Sequence, residues 1–251
     1  MFQTWLSGLV FVSLSMLVAA VGSRLLRRWV SLDFLQTHHE VGGFFIGVLG
    51  TIYAVLLAFV IFVVWNQYDS AKAAVSQEVN QLDDLLRMSK GFPDPVHDKV
   101  REAIHKYANV VIDEEWGSLA HGERSPAAQR AIDDVWDLYR QMDPQATREI
   151  ALYSESLTRL NDLSDSRRLR IHFSQDTVPI VLLVLLWFGA AVTIGFTYFF
   201  GLRNLKSQQL MTAALTGVII FILFLIMALD NPFAGDFCIS KEPFLTLLHR
   251  S

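Results

Sequence analysis

The segment Val41–Trp65, VGGFFIGVLGTIYAVLLAFVIFVVW, contains 25 residues and no Asp, Glu, Lys or Arg. A helix needs about 20 predominantly apolar residues to cross the ~30 Å hydrocarbon core of a bilayer. Three further apolar stretches are Trp5–Val21, Val178–Phe200 and Leu210–Leu229. A soluble chain of 251 residues could not bury four such helices. The sequence therefore predicts an all-α integral membrane protein with four transmembrane helices.

The charged residues are concentrated in one part of the chain. Only 18% of the residues are charged and 52% are hydrophobic, whereas about 25% of residues are charged in an ordinary soluble domain. The segment 66–177 is nevertheless polar and rich in charge. We therefore expect transmembrane helices 1 and 2 in residues 1–65, a soluble helical module in residues 66–177, and transmembrane helices 3 and 4 with a C-terminal tail in residues 178–251.

The second transmembrane helix is expected to continue into the soluble module. Residues 66–90 contain no Pro or Gly, and apolar residues recur there at 4-3-4 spacing, which is typical of an amphipathic helix. Further amphipathic helices are predicted over Val96–Trp116, from Pro126 onward, and from about Ile150 through Arg170, with a break near Pro179.

The second apolar stretch carries two patterns. Small residues step by three or four positions and form a narrow stripe, which allows another helix to approach closely. This stripe fits packing inside one subunit or packing around a symmetry axis. A neighbouring face carries Phe44, Thr51, Val55, Phe62 and Asp69. A ring of these phenylalanines would form a dewetting constriction with Asp69 at one mouth. The small residues of the stripe are Gly43, Gly47, Gly50, Ala54 and Ala58.

A second candidate site lies where the last apolar stretch ends. Asp230 precedes Asn231-Pro232, and ionisable residues at membrane depth are often functional. A structural role, such as capping the turn before the proline, is the alternative. Asp236 and Glu242 would add oxygen ligands, but their spacing does not match a calcium loop and leaves any metal unidentified.

Several function classes are disfavoured. The net charge is −4 and no basic stripe is present, so we expect no nucleic-acid partner. The spanning segments offer no catalytic base and the chain has no phosphate-binding glycine loop, so we expect neither an enzyme nor a cofactor. The acidic pairs are predicted to form solvated helix faces. These pairs are Asp83-Asp84, Glu114-Glu115 and Asp133-Asp134.

Four segments carry a family resemblance. They are Gly42–Val60, Val64–Ala71 (VWNQYDSA), Leu229–Gly235 (LDNPFAG) and Ser240–Phe244 (SKEPF). Together they resemble the bacterial bestrophin-like domain membrane proteins, a family without a settled function. The resemblance covers nearly the whole chain.

This resemblance implies a fold and a function. Bestrophins are pentameric anion channels with four spanning helices per subunit, whose second helix lines the pore and carries an aromatic neck. Phe44 and Phe62 are the candidates for that neck. We therefore expect a homo-oligomer, a tetramer or pentamer in the lipid bilayer, which conducts inorganic ions. The alternative is a non-conducting scaffold or sensor whose soluble module binds a partner or ligand.

Two arguments from the sequence give opposite orientations in the membrane. In a bacterial inner membrane, the basic residues at the short loops favour a cytoplasmic position for those loops, which puts the soluble module outside the cytoplasm. Arg167, Arg168 and Arg170 lie near the third helix on the opposite side, and bestrophin topology places the module in the cytosol. The basic residues of the short loops are Arg24, Arg27, Arg28, Arg203 and Lys206.

Overall fold

The structure is a computed structural model that describes residues 2–30, 39–200 and 204–250. Within these ranges the regular elements are all helical. Arg203, which contributed to the predicted orientation, lies outside the described residues. The elements in chain order are α1 (Phe2–Trp29), α2 (His39–Ser89), α3 (Asp94–Val110), a π-helical turn (Val111–Glu115), α4 (Trp116–Leu119), α5 (Pro126–Arg140), α6 (Thr147–Gln175), α7 (Ile180–Tyr198), α8 (Leu205–Leu229) and α9 (Glu242–Arg250).

Four of the helices are long and apolar enough to cross a membrane. They are α1, α2, α7 and α8, as the four apolar stretches predict. The helix α2 has 51 residues, which confirms that the second apolar stretch continues as a helix well beyond Trp65. No proline or glycine interrupts it between Asn66 and Ser89, so nothing in the backbone chemistry ends the helix there.

The chain divides into two compact units. The first, here called the apolar unit, comprises Met1–Asn66 and Val178–Asp230. The second, the polar unit, comprises Gln67–Thr177 and Asn231–Ser251. The C-terminal segment, which the sequence groups with the last two apolar helices, thus belongs to the polar unit.

Glycines allow close helix packing in the apolar unit. A Cβ atom added at Gly8 of α1 would lie 2.5 Å from the Phe224 ring of α8, and one added at Gly217 of α8 would lie 2.9 Å from Met16 Sδ. The helices α2 and α7 meet through Tyr53, whose hydroxyl donates a hydrogen bond of 2.9 Å to the Leu186 carbonyl oxygen. The Tyr53 ring occupies the space that a side chain at Gly189 would need. Small residues at these contacts suit helices that associate without a hydrophobic driving force.

The polar unit has a conventional hydrophobic core. Its helices α2, α3, α5, α6 and α9 contribute fully buried side chains such as Leu82, Ile104, Val135, Leu160 and Phe244. The helix α5 begins with Pro126 directly after Ser125, whose hydroxyl accepts a hydrogen bond of 3.2 Å from the Ala128 amide. This N-cap confirms the helix start that the sequence predicts at Pro126.

The Tyr53–Gly189 contact generates a stability prediction. The substitution Gly189→Ala should lower the melting temperature of the purified protein in detergent, because overpacking a close contact costs roughly 1–3 kcal/mol. Gly195→Ala is the matched control in the same helix, since a Cβ at Gly195 would meet no atom within 4 Å. The control should leave the melting temperature unchanged or raise it, because alanine is the better helix former. Equal melting temperatures for the two variants would contradict the packing described here.

Candidate functional site

The apolar part of α2 buries only one of its faces. Tyr53, Leu57, Val60 and Val64 are at most 6% exposed. They recur at spacings of four, three and four residues, so they form one line along the helix. This line is the face by which α2 packs inside its own unit.

The opposite face carries the predicted pore residues. At about 100° per residue, Phe44, Thr51, Val55 and Phe62 are centred roughly 170° from the buried line. Phe44 is 71% exposed and Phe62 is 63% exposed. The hydroxyl of Thr51 donates a hydrogen bond of 2.8 Å to the Gly47 carbonyl oxygen of the same helix. This face is therefore largely apolar, carries two aromatic side chains and is exposed.

The small-residue stripe lies between these two faces. A Cβ atom added at Gly47 or Gly50 would meet no atom within 4 Å, and one added at Gly43 would meet only Phe200, at 3.9 Å. Gly50, Ala54 and Ala58 line one wall of an apolar groove of about 430 Å³. Residues of α8, chiefly Leu215, Ile219 and Ile222, line the other wall. The stripe thus borders an open groove rather than a helix contact within the chain.

Asp230 holds two helix ends together. Its side-chain Oδ1 accepts a hydrogen bond of 2.7 Å from the Val178 amide, just before α7 begins, while its own amide donates to Ile226 at the end of α8. The carboxylate therefore satisfies the backbone amide of the residue that precedes the Pro179 N-cap of α7. This contact gives Asp230 a structural role at the start of α7.

The other two candidate carboxylates lie in the polar unit. Asp69 is exposed and Asp236 is half-buried. Across residues 2–30, 39–200 and 204–250, no group of three or more His, Cys, Asp or Glu side chains would hold a metal ion. The structure thus does not bring Asp230 and Asp236 together with a third such ligand among these residues.

The polar unit contains a buried network of charged side chains that lies outside the candidate sites predicted from the sequence. Arg170 of α6 is fully buried, and its Nε donates to Glu78 Oε2 of α2 at 2.6 Å. Arg170 Nη2 also donates to Glu115 Oε2 of the π-helical turn at 2.6 Å. Arg167 Nη2 donates to Glu115 Oε1 at 2.7 Å. Two arginines and two glutamates thus form a neutral cluster.

Neutral and aromatic groups complete this network. The Tyr107 hydroxyl donates to Glu78 Oε1 at 2.6 Å, and Arg167 Nη1 donates to Gln129 Oε1 at 2.7 Å. The Trp116 and Phe244 rings lie 5.8 Å and 5.9 Å from Arg170 Cζ, within the range of a cation–π interaction. The network therefore links α2, α3, α5, α6 and the C-terminal α9.

The charged groups of the network and their burial shift the pKa values of Arg170 and Tyr107. Burial lowers the pKa of Arg170, but Glu78 and Glu115 beside it raise that pKa by more, so it lies above its ordinary value. Burial and the neighbouring Glu78 raise the pKa of Tyr107 well above its ordinary value. Arg170 therefore stays charged and Tyr107 stays protonated, which are the forms that the hydrogen bonds require.

Glu115 corrects one sequence-based prediction. The pair Glu114-Glu115 was expected on a solvated helix face, but Glu115 is fully buried while Glu114 is exposed. The physical reason is its partners, since two arginines neutralise the Glu115 carboxylate. The π-helical turn at Val111–Glu115 carries one extra residue per turn and so shifts which side chains face inward.

The sequence does contain a signal for the network. Glu78 follows Val75 and precedes Leu82 at spacings of three and four, so it lies on the apolar stripe of α2. Arg167 and Arg170 continue the stripe of Leu160 and Leu163 in the same way. A charged residue on an apolar stripe predicts a buried ion pair, because a lone buried charge is very costly.

These observations define a class: an α-helical membrane protein whose described residues include four helices long and apolar enough to span a bilayer, together with a polar helical unit. The chain belongs to the bestrophin-like family, because residues 10–244 match the model of the bestrophin-like domain. No curated protein matches it in sequence.

Solved structures share its fold at low sequence identity. Two single-substitution variants of a bacterial bestrophin homologue from Klebsiella pneumoniae match with TM-scores of 0.73 and 0.74 and 12% identity. These matches cover 95% of this chain and 98% and 96% of the other chains. A crystal structure described as a membrane protein matches with a TM-score of 0.68 at 14% identity, over 95% of this chain and 96% of the other.

The buried network generates a second stability prediction. The substitution Arg170→Met should destabilise the protein by about 3–5 kcal/mol, because it leaves buried carboxylates without their partner. Arg168→Met is the matched control, since the Arg168 side chain is 73% exposed and pairs only with Asp165 on the surface. The control should change the stability by about 0.5 kcal/mol or less. Thermal unfolding in detergent measures both.

The double variant Glu78→Gln/Arg170→Met tests whether Glu78 and Arg170 are energetically coupled. It should recover part of the stability that Arg170→Met loses, because it removes one of the stranded charges. If the stability lost in the double variant equalled the sum of the losses in the single variants Glu78→Gln and Arg170→Met, the coupling between Glu78 and Arg170 would be absent.

Proposed function

We propose that the chain forms a homo-oligomeric ion channel in which α2 lines the pore. The observation that carries the proposal is the exposed aromatic face of α2, which lies opposite the face that packs inside the chain. Phe44 and Phe62 on that face are large apolar side chains that remain 71% and 63% exposed. A symmetry axis next to this face would surround them with their own copies.

The apolar groove supports the same assembly. The stripe of Gly50, Ala54 and Ala58 lies beside the aromatic face and leaves room for another helix. If α2 faces an axis, its lateral face meets the neighbouring subunit, and small residues allow the close backbone approach that such contacts use. We propose a ring of four or five subunits with this groove at the subunit interface.

The pore we propose has a hydrophobic constriction and a charged mouth. A ring of Phe44 or Phe62 would impede ions by dewetting. Asp69 is the first charged residue after the apolar stretch, lies on the same helical face by spacing, and is exposed. A ring of Asp69 carboxylates would concentrate cations at that end of the pore.

Ion flux from purified protein in liposomes tests the proposal. Phe62→Ala should raise the flux severalfold, because a smaller apolar ring leaves room for water. Phe188→Ala is the control, since Phe188 of α7 is 65% exposed but lies on a different helix. It should leave the flux unchanged.

Two outcomes would contradict the channel. One is wild-type flux no higher than in protein-free vesicles under several salts and pH values. The other is an equal effect of the two phenylalanine substitutions. The subunit number in mild detergent identifies the alternative, since a monomer or dimer favours a non-conducting scaffold or sensor.

We further propose a bacterial inner-membrane location with residues 66–177 as the soluble module between spanning helices 2 and 3, outside the cytoplasm. The basic residues Arg24, Arg27, Arg28 and Lys206 beside the short loops support this orientation, because cytoplasmic loops carry an excess of Lys and Arg. Arg167, Arg168 and Arg170, which precede α7 in the sequence, count against it.

The native Cys238 provides a topology probe. It is the only cysteine in the chain and is exposed in the polar unit. A membrane-impermeant maleimide should label it in intact spheroplasts, and Cys238→Ser should abolish the labelling. Labelling only after the membrane is permeabilised would instead give the cytosolic placement that the likeness to bestrophins implies.

A further inference from the structure

A cleft in the polar unit brings basic side chains from three helices together. Its volume is about 370 Å³. The end of α2, the first turns of α3 and the end of α9 contribute to its lining, so residues far apart in the sequence meet there. The polar lining residues are Asp83, Arg87, Lys90, His97, Arg101 and Arg250.

The cleft carries more positive charge than its carboxylates neutralise. Arg87 pairs with Asp83 at 2.6 Å, and Arg101 pairs with Asp98 at 3.2 Å. Lys90 and Arg250 are also exposed and add two further positive charges. The four cations and two carboxylates give a local charge of +2, in a chain whose net charge is −4.

The arginines retain hydrogen-bond donors for a ligand. A guanidinium has five N–H donors, and Arg87 and Arg101 each use only Nη2 in these pairs. Their side chains are 71% and 48% exposed. Such exposed pairs are weak, so an anion with several charges can compete with the carboxylates for the arginines.

His97 is held in a defined orientation at the edge of this cleft. Ser89 Oγ donates its single hydrogen to the Leu86 carbonyl oxygen at 2.7 Å. It therefore accepts from His97 Nδ1, which lies 2.8 Å away. This contact assigns a proton to Nδ1 and fixes the orientation of the His97 ring beside the cleft.

We infer that this cleft binds a phosphate group, carried by a small soluble molecule or by a lipid headgroup. Arginines bind phosphate oxygens in pairs of charge-assisted hydrogen bonds, and lysine adds a point charge. The volume exceeds that of one phosphate, so a small organic group fits beside it. This inference does not depend on the proposed channel, because every residue that carries it lies in the polar unit.

Titration calorimetry of the full-length protein in detergent, at constant ionic strength, tests the site with inorganic pyrophosphate as the probe. The wild type should bind it saturably. The double variant Lys90→Gln/Arg101→Gln should bind it about tenfold more weakly or worse, because two charge-assisted contacts are lost. The control Lys72→Gln/Arg130→Gln removes the same charge from exposed positions outside the cleft and should bind like the wild type.

Two results would overturn the inference: no saturable binding of pyrophosphate by the wild type, or an equal loss of affinity in the control. Competition then distinguishes the sources of the phosphate. Displacement of pyrophosphate by dihexanoyl-phosphatidylglycerol, but not by dihexanoyl-phosphatidylcholine, supports an anionic lipid headgroup. Displacement by neither supports a soluble phosphate compound.

Discussion

The buried ion pair between Arg170 and Glu78 is the interaction on which the polar unit depends. Arg170 contacts α2 through Glu78, the π-helical turn through Glu115, and α9 through the Phe244 ring. A buried guanidinium is stable only when opposite charges match it, and Glu78 and Glu115 do so for Arg170. The positions of these elements are therefore constrained by one side chain. The aliphatic core around them, by contrast, tolerates volume-conserving hydrophobic substitutions more easily.

The sequence predicts the apolar helices well because the evidence for them is local. A run such as Val41–Trp65 is long and uncharged, and a bilayer of fixed thickness converts that length directly into a spanning helix. The continuation of α2 to Ser89 is equally local, since it needs only the absence of proline and glycine and a 3.6-residue period. Boundaries such as Ser125-Pro126 follow from capping chemistry, which involves only a few neighbouring residues.

The apolar stripes mark Glu78, Arg167 and Arg170 as buried charges, but the local sequence does not predict that Glu115 joins them. Glu114 and Glu115 have the same chemistry and adjacent positions, yet one is exposed and the other buried. What distinguishes them is an arginine 52 residues away, Arg167, together with a π-helical turn. The same limit applies to α2, where helical spacing places Phe44 and Phe62 on one face. Only the packing of Tyr53, Leu57, Val60 and Val64 shows that this face points away from the rest of the unit.

The two groups of arginines in the polar unit differ in a way that bears on function. Around Arg170 the charges balance and the side chains are buried, which gives stability and position but leaves nothing to attract a ligand. Around Arg101 the charges do not balance and the side chains remain in water, where clustering of like charges is unfavourable. A fold keeps such a cluster more easily when a bound anion relieves the repulsion.

The proposed pore face of α2 carries no charge. In that proposal, any selection between cations and anions therefore depends on residues beyond the apolar stretch. Asp69 is the first of them, and its negative charge would favour cations in the proposed pore. In that proposal, the charge of the conducted ion depends on this chain's own residues rather than on the fold that it shares.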